Sequence, residues 1–377
     1  MKLENKMPTI KDFFLLIIVF LNIMYTPYAL SLHILHLSFH RGCISEINLI
    51  AQQLGAEVTS IFIPNLAPKE FDGKSAGNVL YNIGHERALN VWNKHKDYFN
   101  QFDAVITSDT APLSRIFLQN NYTKPLIIWI CNRFDYADNS SLDCTFPDEE
   151  YYELLRQAKH KKNVYTIPYN AFESFYAAQK NVTFNNEVIQ PSGIFITQNK
   201  QSAIPRHIDK SKTFFIPPYL NDLSMNLTQK CSQLGIEAYN GRYNGPSDLE
   251  GFKGIIHIPY NWSNLAFFEN MQSSLPYFIP SITFMITHFD KNTIWWANGN
   301  YFKKNYHFAE WYNKENSEII TYFDSWDDLK YKIESTDFDA LQTKIKQYAQ
   351  THKNNVLHKW RAIFDMIAHN KECTADV

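Results

Sequence analysis

From Leu32 onward the chain alternates short apolar runs with longer segments in which apolar and polar positions are interleaved. Leu32 to Phe39, Glu57 to Ile63, Ala104 to Thr107, Leu126 to Cys131 and Val164 to Pro168 are short and apolar, so they predict strands. Between them, Ile44 to Leu54, Tyr81 to Tyr98, Ala111 to Gln119 and Glu149 to Lys159 predict helices. This alternation is α/β ordering and implies an open parallel sheet, which gathers ligands at the carboxyl ends of its strands. The rhythm lapses between about Asn181 and Lys212, where Pro191, Ser192, Gly193 and Pro205 punctuate a polar stretch and predict a crossover. A second series follows, with strands at Thr213 to Ile216, Gly254 to Ile258 and Tyr277 to Ile279, and helices near Ser224 to Leu234 and over 264–272. Beyond Asp337, the spacing of Leu341, Ile345, Tyr348, Val356, Trp360, Phe364 and Ile367 suits one or two amphipathic helices.

The 377 residues exceed what one core usually supports, which favours two domains. The expected division is a targeting segment (1–31), a first α/β domain (32–190), a linker (191–212), a second α/β domain (213–336) and a helical end (337–377). With 45% hydrophobic and 20% charged residues the chain is globular, and 36 basic against 38 acidic residues argue against a polyanion-binding protein. The short run Lys159-His160-Lys161-Lys162 reads as a solvated helix end.

Lys2, Lys6 and Lys11 precede an apolar run from Phe13 to Tyr25, and Ala29-Leu30-Ser31 offers small residues for cleavage. This is the layout of a signal peptide or a short signal anchor, with the rest of the chain on the lumenal or external side. Asn-x-Ser/Thr sequons at Asn121, Asn139, Asn181, Asn226 and Asn261 fit a secretory route. The five cysteines (Cys43, Cys131, Cys144, Cys231, Cys373) form no CxxC pair, which speaks against a structural zinc site; Cys131 and Cys144 are a candidate bridge.

The segment richest in chemistry runs from Ile255 to Pro280 and reads as strand, loop, helix, strand, with a single acid, Glu269, inside an apolar helix. A carboxylate there is costly to bury unpaired, so it is either a satisfied core acid or a ligand contact that accepts two hydroxyl hydrogen bonds. Upstream, Tyr239-Asn240-Gly241-Arg242-Tyr243-Asn244-Gly245 is either an ordinary turn or a phosphate-binding loop, in which Arg242 forks onto oxygens and Gly241 lets the backbone approach. Asn261 and Ser263 precede the helix, whose N-terminus suits anions. In the first half, His40 ends the first strand at a His-Arg-Gly turn and has the ordinary pKa of a general base; the alternative is a solvent-facing turn residue. Asp109, after the third strand, is a second acid/base candidate or the cap of the helix near Ala111.

The order of these parts resembles the GT-B fold of nucleotide-sugar-dependent glycosyltransferases: two Rossmann-like domains, a cleft between them and C-terminal helices packing across. Many enzymes of that fold carry Glu-x7-Glu followed by a small-residue helix ending in Gly-x-Pro. Glu269 matches the second acid, and Met271 and Leu275-Pro276 keep the ordering, while Asn261 replaces the first acid and Ser274 stands where glycine is common. The resemblance implies that Glu269 binds the donor ribose and that the loop bearing Arg242 surrounds the donor. It makes His40 the base that deprotonates an acceptor hydroxyl, with Asp109 in reserve, and puts Asn132, Arg133 and Asp135 on the acceptor side. The expected activity is sugar transfer from a nucleotide diphosphate sugar to a carbohydrate or glycoprotein hydroxyl, with no cofactor. No metal is expected, because no compact Asp-x-Asp pair ends a strand and Arg242 with helix dipoles can neutralise a diphosphate. The alternatives are a non-catalytic nucleotide- or sugar-binding protein of the same fold, favoured by Asn261, and a two-domain periplasmic-type receptor.

Overall fold

The computed structural model describes residues 32–65, 83–135, 148–196 and 201–375. The expected targeting segment, the sequon at Asn139 and Cys144 lie outside the described residues.

The first sheet is built from β1 (His33–Ser38), β2 (Glu57–Phe62), β3 (Ala104–Ser108), β4 (Leu126–Ile130) and β5 (Val164–Pro168). The second comprises β6 (Phe214–Ile216), β7 (Ala238–Asn240), β8 (Gly254–Ile256), β9 (Tyr277–Pro280) and β10 (Ile320–Phe323). The helices are α1 (Arg41–Leu54), α2 (His85–Phe99), α3 (Arg115–Leu118), α4 (Glu149–Ala158), α5 (Ala171–Ala178), α6 (Leu220–Ser224), α7 (Leu227–Gln233), α8 (Leu265–Gln272), α9 (Ile282–Asp290), α10 (Gly299–Asn305), α11 (Trp326–Ser335) and α12 (Phe338–Ala375).

Both sheets have five strands, ordered β2-β1-β3-β4-β5 and β10-β9-β8-β6-β7. Every strand pairing is parallel. Counted from its own first strand, the second sheet repeats the order 2-1-3-4-5 of the first. Each therefore has a topological switch point between its first and third strands, where neighbouring loops leave in opposite directions and open a crevice. Strands β3, β4 and β5 are buried at every position, which is why they read as unbroken apolar runs: helices cover both faces of a parallel sheet.

Several elements depart from the sequence expectation. The helix foreseen over 111–119 is a 3-10 turn at Ala111–Ser114 followed by α3. The helix foreseen over 224–234 is α7, which starts only after Asn226, whose φ of 49° is left-handed, and α6 precedes it. β8 stops at Ile256, because the Ile258 amide turns away to donate to the Asp222 carboxylate at 2.7 Å. The strands β7 and β10 and the helices α5, α9 and α10 had not been singled out, while α11 carries Asp327-Asp328 in its first turn, a pair whose sequence context is that of a helix start.

Contacts between the two units include an aromatic stack, a helix-to-helix touch and the linker. Phe172 of α5 stacks on Trp262 with ring centroids 3.6 Å apart and planes 3° from parallel. Gly42 of α1 abuts Leu265 of α8, so the first turns of these helices touch across the cleft. The linker lies over α8: Gly193 has φ +72°, and a Cβ there would come within 2.3 Å of the Phe268 carbonyl oxygen, so only glycine fits. Helix α12 then straps both units. Its first half buries Ile345 and Ala349 against the second unit, while Val356, Trp360, Ile363, Phe364 and Ile367 pack on the first sheet, with Trp360 edge-on to Trp129 at 5.8 Å. No described helix is long and apolar enough to cross a membrane.

Candidate functional site

At the first switch point, β1 ends at Ser38 and His40 caps α1: its backbone is extended and its Nδ1 accepts the Cys43 amide at 3.3 Å. β3 ends at Ser108, and Asp109 follows in the left-handed region at φ 69°. The cap expected of Asp109 is not made. Thr110 occupies the cap position of the following turn with no side-chain bond, and Asp109 Oδ1 instead accepts from Asn132 Nδ2, beyond β4, at 2.8 Å. The loops after β1, β3 and β4 thus converge, as the strand order requires.

The second sheet contributes Glu269 on the second turn of α8, where it is half-buried. Burial raises its pKa to about 7, and the charge of His40 opposes that rise. The Cys43 side chain, and after it the charges of Asp109 and Glu269, raise the pKa of His40 to about 9 against the cost of burial. An acid from each unit therefore lies within electrostatic range of one histidine. Desolvation, helped by the Cys43 charge, carries Asp109 to about 7, with His40, Thr110 and Asn132 holding it back.

The geometry refines what His40 offers. Its cap bond needs a lone pair on Nδ1, so it belongs to the neutral ring with its hydrogen on Nε2; protonation puts a second hydrogen on Nδ1 and gives up the cap bond. In either state the second nitrogen presents a donor.

Asn261 and Ser263 lie in the loop entering α8, half-buried, and Asn261 Oδ1 and Ser263 Oγ are buried atoms without a hydrogen-bond partner among the described residues. Such atoms are what a bound ligand would satisfy. Arg242 is exposed on the loop after β7, and Gly241 lies against Tyr239, whose hydroxyl would be 2.3 Å from a Cβ at this position. Asn132 and Arg133 are half-buried at the end of β4. Asp135 is buried and accepts from the hydroxyls of Tyr152 and Tyr176, so it braces this edge from beneath.

Three groups escaped the sequence reading. Glu46, one turn beyond Cys43, is buried, accepts the Ser192 amide of the linker and has its pKa raised to about 8, chiefly by desolvation. At the second switch point, Asp222 accepts from His257 Nδ1 at 2.8 Å and from the Ile258 amide, and both side chains are buried. Tyr243 and Tyr277 stand near enough to Glu269 for its charge to raise their pKa values, after the larger effect of burial. The aromatic residues had no spacing signal, since they come from different strand ends.

No protein-family model matches the chain, and comparison with curated proteins finds no match. Solved structures to which it is similar include a protein assigned as a UDP-N-acetylglucosamine 2-epimerase from Listeria monocytogenes (TM-score 0.47, 10% identity, covering 89% of this chain and 97% of that one). The glycosyltransferase SnogD from Streptomyces nogalater matches at TM-score 0.45 and 8% identity, over 88% of this chain and 100% of the other. UGT89C1 from Arabidopsis thaliana, solved with UDP-L-rhamnose, matches at TM-score 0.46 and 8% identity, over 89% and 99%. Two parallel α/β units of identical strand order, meeting at their switch points and strapped by the last helix, give the chain a GT-B-like fold.

Proposed function

We propose that this chain is a glycosyltransferase that moves a sugar from a nucleotide diphosphate sugar to an acceptor hydroxyl in the cleft between its two units. The observation that carries the reading is the contact of the first turn of α1, which His40 caps beside Asp109 at the switch point of one sheet, with the first turn of α8, the helix that carries Glu269 from the other. Glu269 accepts hydrogen bonds from the donor ribose. Asn261 and Ser263 supply polar atoms at the N-terminus of α8, and Arg242 with the Gly241 backbone neutralises the diphosphate without a metal ion.

The chemical roles divide by proton affinity. His40, whose Nε2 carries a hydrogen in either protonation state, donates to the departing diphosphate oxygen, and its positive charge stabilises that anion. Asp109, poised at about 7, takes the acceptor proton. This gives the base role, expected first of His40, to its alternate Asp109, and adds His40 to the leaving-group side beside Arg242. Asn132 and Arg133 border the acceptor, with Asp135 beneath them. The basic and apolar N-terminal segment, together with exposed asparagines at the sequons Asn121, Asn181 and Asn226, supports a secretory-pathway enzyme acting on a carbohydrate or glycoprotein.

The test is a thermal-shift panel of nucleotide diphosphate sugars followed by transfer assays without added metal. A donor that binds raises the unfolding temperature. Glu269→Ala should weaken that donor about 30- to 100-fold, the loss of a charge-assisted bond pair. Asp109→Asn should retain binding and lose about 100-fold or more in turnover. A panel with no shift would remove the reading. A donor that shifts the wild type but is never turned over would favour a non-catalytic binding protein, the reading that Asn261 in place of an acid supports.

A further inference from the structure

Cys43 and Cys131 are 88 residues apart in sequence, yet their sulfur atoms lie 3.8 Å apart. Cys43 sits in the first turn of α1, three residues after the capping His40; Cys131 is the first residue beyond β4, beside Asn132. Cys43 is buried and Cys131 half-buried, and neither is in a disulfide. The pair spans β3 at its C-terminal end and touches both loops that flank Asp109. Cys131 had been a candidate partner for Cys144; its neighbour among the described residues is Cys43.

We propose that Cys43 and Cys131 are a site of reversible covalent modification, closing to a disulfide that ties the His40 turn to the β4 edge. The inference does not depend on sugar transfer. The environment divides the two thiols. Cys43 is the more acidic of the two: the contact with Cys131 and the nearby His40 lower it to about 6 against the cost of burial, while desolvation holds Cys131 well above its usual value. A thiolate beside a neutral thiol is the arrangement in which one sulfur attacks an oxidant and the other resolves the product.

With a hydroperoxide as the oxidant, the Cys43 thiolate attacks the terminal oxygen, the O–O bond breaks, and Cys43 becomes a sulfenic acid as water or an alcohol leaves. The Cys131 sulfur then displaces hydroxide from the sulfenic sulfur, and this hydroxide leaves as water with the Cys131 proton. Two thiols lose two electrons and two protons, and the peroxide is reduced by the same amount. A dithiol reductant reverses the change. Once the sulfur of Cys43 is shared with Cys131 it no longer bears charge, so His40 gives up its proton at lower pH.

The experiment uses the full chain, folded, with hydrogen peroxide at a small excess, followed by alkylation, digestion and mass spectrometry. The expected product is a linked pair of peptides containing Cys43 and Cys131. Cys231, buried with its pKa pushed up to about 12, should remain an alkylatable thiol and serves as the internal control. Oxidation should raise the unfolding temperature by about 5 °C, because the link closes a long loop in the unfolded chain, and dithiothreitol should reverse the rise. In Cys131→Ser, a substitution at the half-buried position, dimedone should trap the Cys43 sulfenic acid. Full alkylation of Cys43 and Cys131 after peroxide treatment, or a Cys131–Cys144 link in place of Cys43–Cys131, would overturn the proposal.

Discussion

Asp109 shows how much a single backbone angle decides. Its φ of 69° is a conformation that L-residues other than asparagine, aspartate and glycine seldom adopt, and it turns the carboxylate away from the following helical turn toward Asn132. The residue is only 7% exposed, so burial, with the Cys43 charge, raises its proton affinity, while the His40 charge, Thr110 and the Asn132 amide from the β4 edge oppose that rise. Removing that donor is therefore informative. In Asn132→Ala the rising limb of the pH–rate profile, which tracks Asp109 ionisation, should move upward by about one unit, because the charged form loses its hydrogen bond. An unmoved limb would mean that Asp109 is not the titrating group. Backbone angles also bear on the sequons: Asn121, Asn181 and Asn226 all have positive φ, so their asparagines have a conformational reason to be there besides glycosylation.

At the scale of elements, α8 joins the linker, the second sheet and the cleft. Asn264 caps it, its Oδ1 accepting the Ala266 amide at 2.9 Å, and Phe267, Phe268 and Met271 are buried while Glu269 faces the first unit. It ends where Ser274 takes φ 57°, with the Leu275 amide bonded back to the Asn270 carbonyl at 3.1 Å. This is the left-handed helix terminus for which glycine is the usual choice, and it explains in physical terms why the resembling motif has glycine at this point. Ser274→Gly should stabilise the protein by about 0.5–1 kcal/mol, the relief of left-handed strain less the extra freedom of an unfolded glycine. Chemical denaturation of the two proteins, with m-values compared, checks this; a loss of stability would mean that the serine side chain holds the turn.

For the whole molecule, five buried or half-buried acids have their proton affinity raised, chiefly by desolvation. Glu46 and Glu173 have folded pKa values raised to about 8, and Asp109, Glu269 and Glu310 to about 7. His40 is raised as well, to about 9. A group with a raised folded pKa binds more protons folded than unfolded, so its stabilising contribution is complete below the unfolded pKa and is lost as pH rises through the folded one. His36, held down near 3 by burial, acts in the opposite sense, but only below about 6.5; Cys43, lowered to about 6, opposes the trend above that pH. Between about pH 6.5 and 8 the raised groups outnumber it. The unfolding temperature should fall on the order of 5 °C across that window. A flat or rising profile by calorimetry would show that these acids are ionised in the folded protein.

The apolar rhythm of the chain determined the strands of the first sheet to within a residue or two at either end, because strands covered on both faces must be nearly continuous apolar runs. β7, three half-buried residues, and β10, an edge strand of four, give no such signal. The sequence also determined that His40, Asp109 and Glu269 each follow a strand, which in a parallel sheet puts them at the ligand-binding edge. Only the tertiary structure decided which of these edges face each other. The switch points at β1/β3 and β6/β8, the Gly193 contact and the α12 strap bring Glu269 beside His40 and set Glu46 behind them. Proton affinities followed from that meeting, since desolvation and the charge of a neighbour from another unit exist only after folding. The same holds for Cys43 and Cys131, whose proximity no spacing in the chain announces.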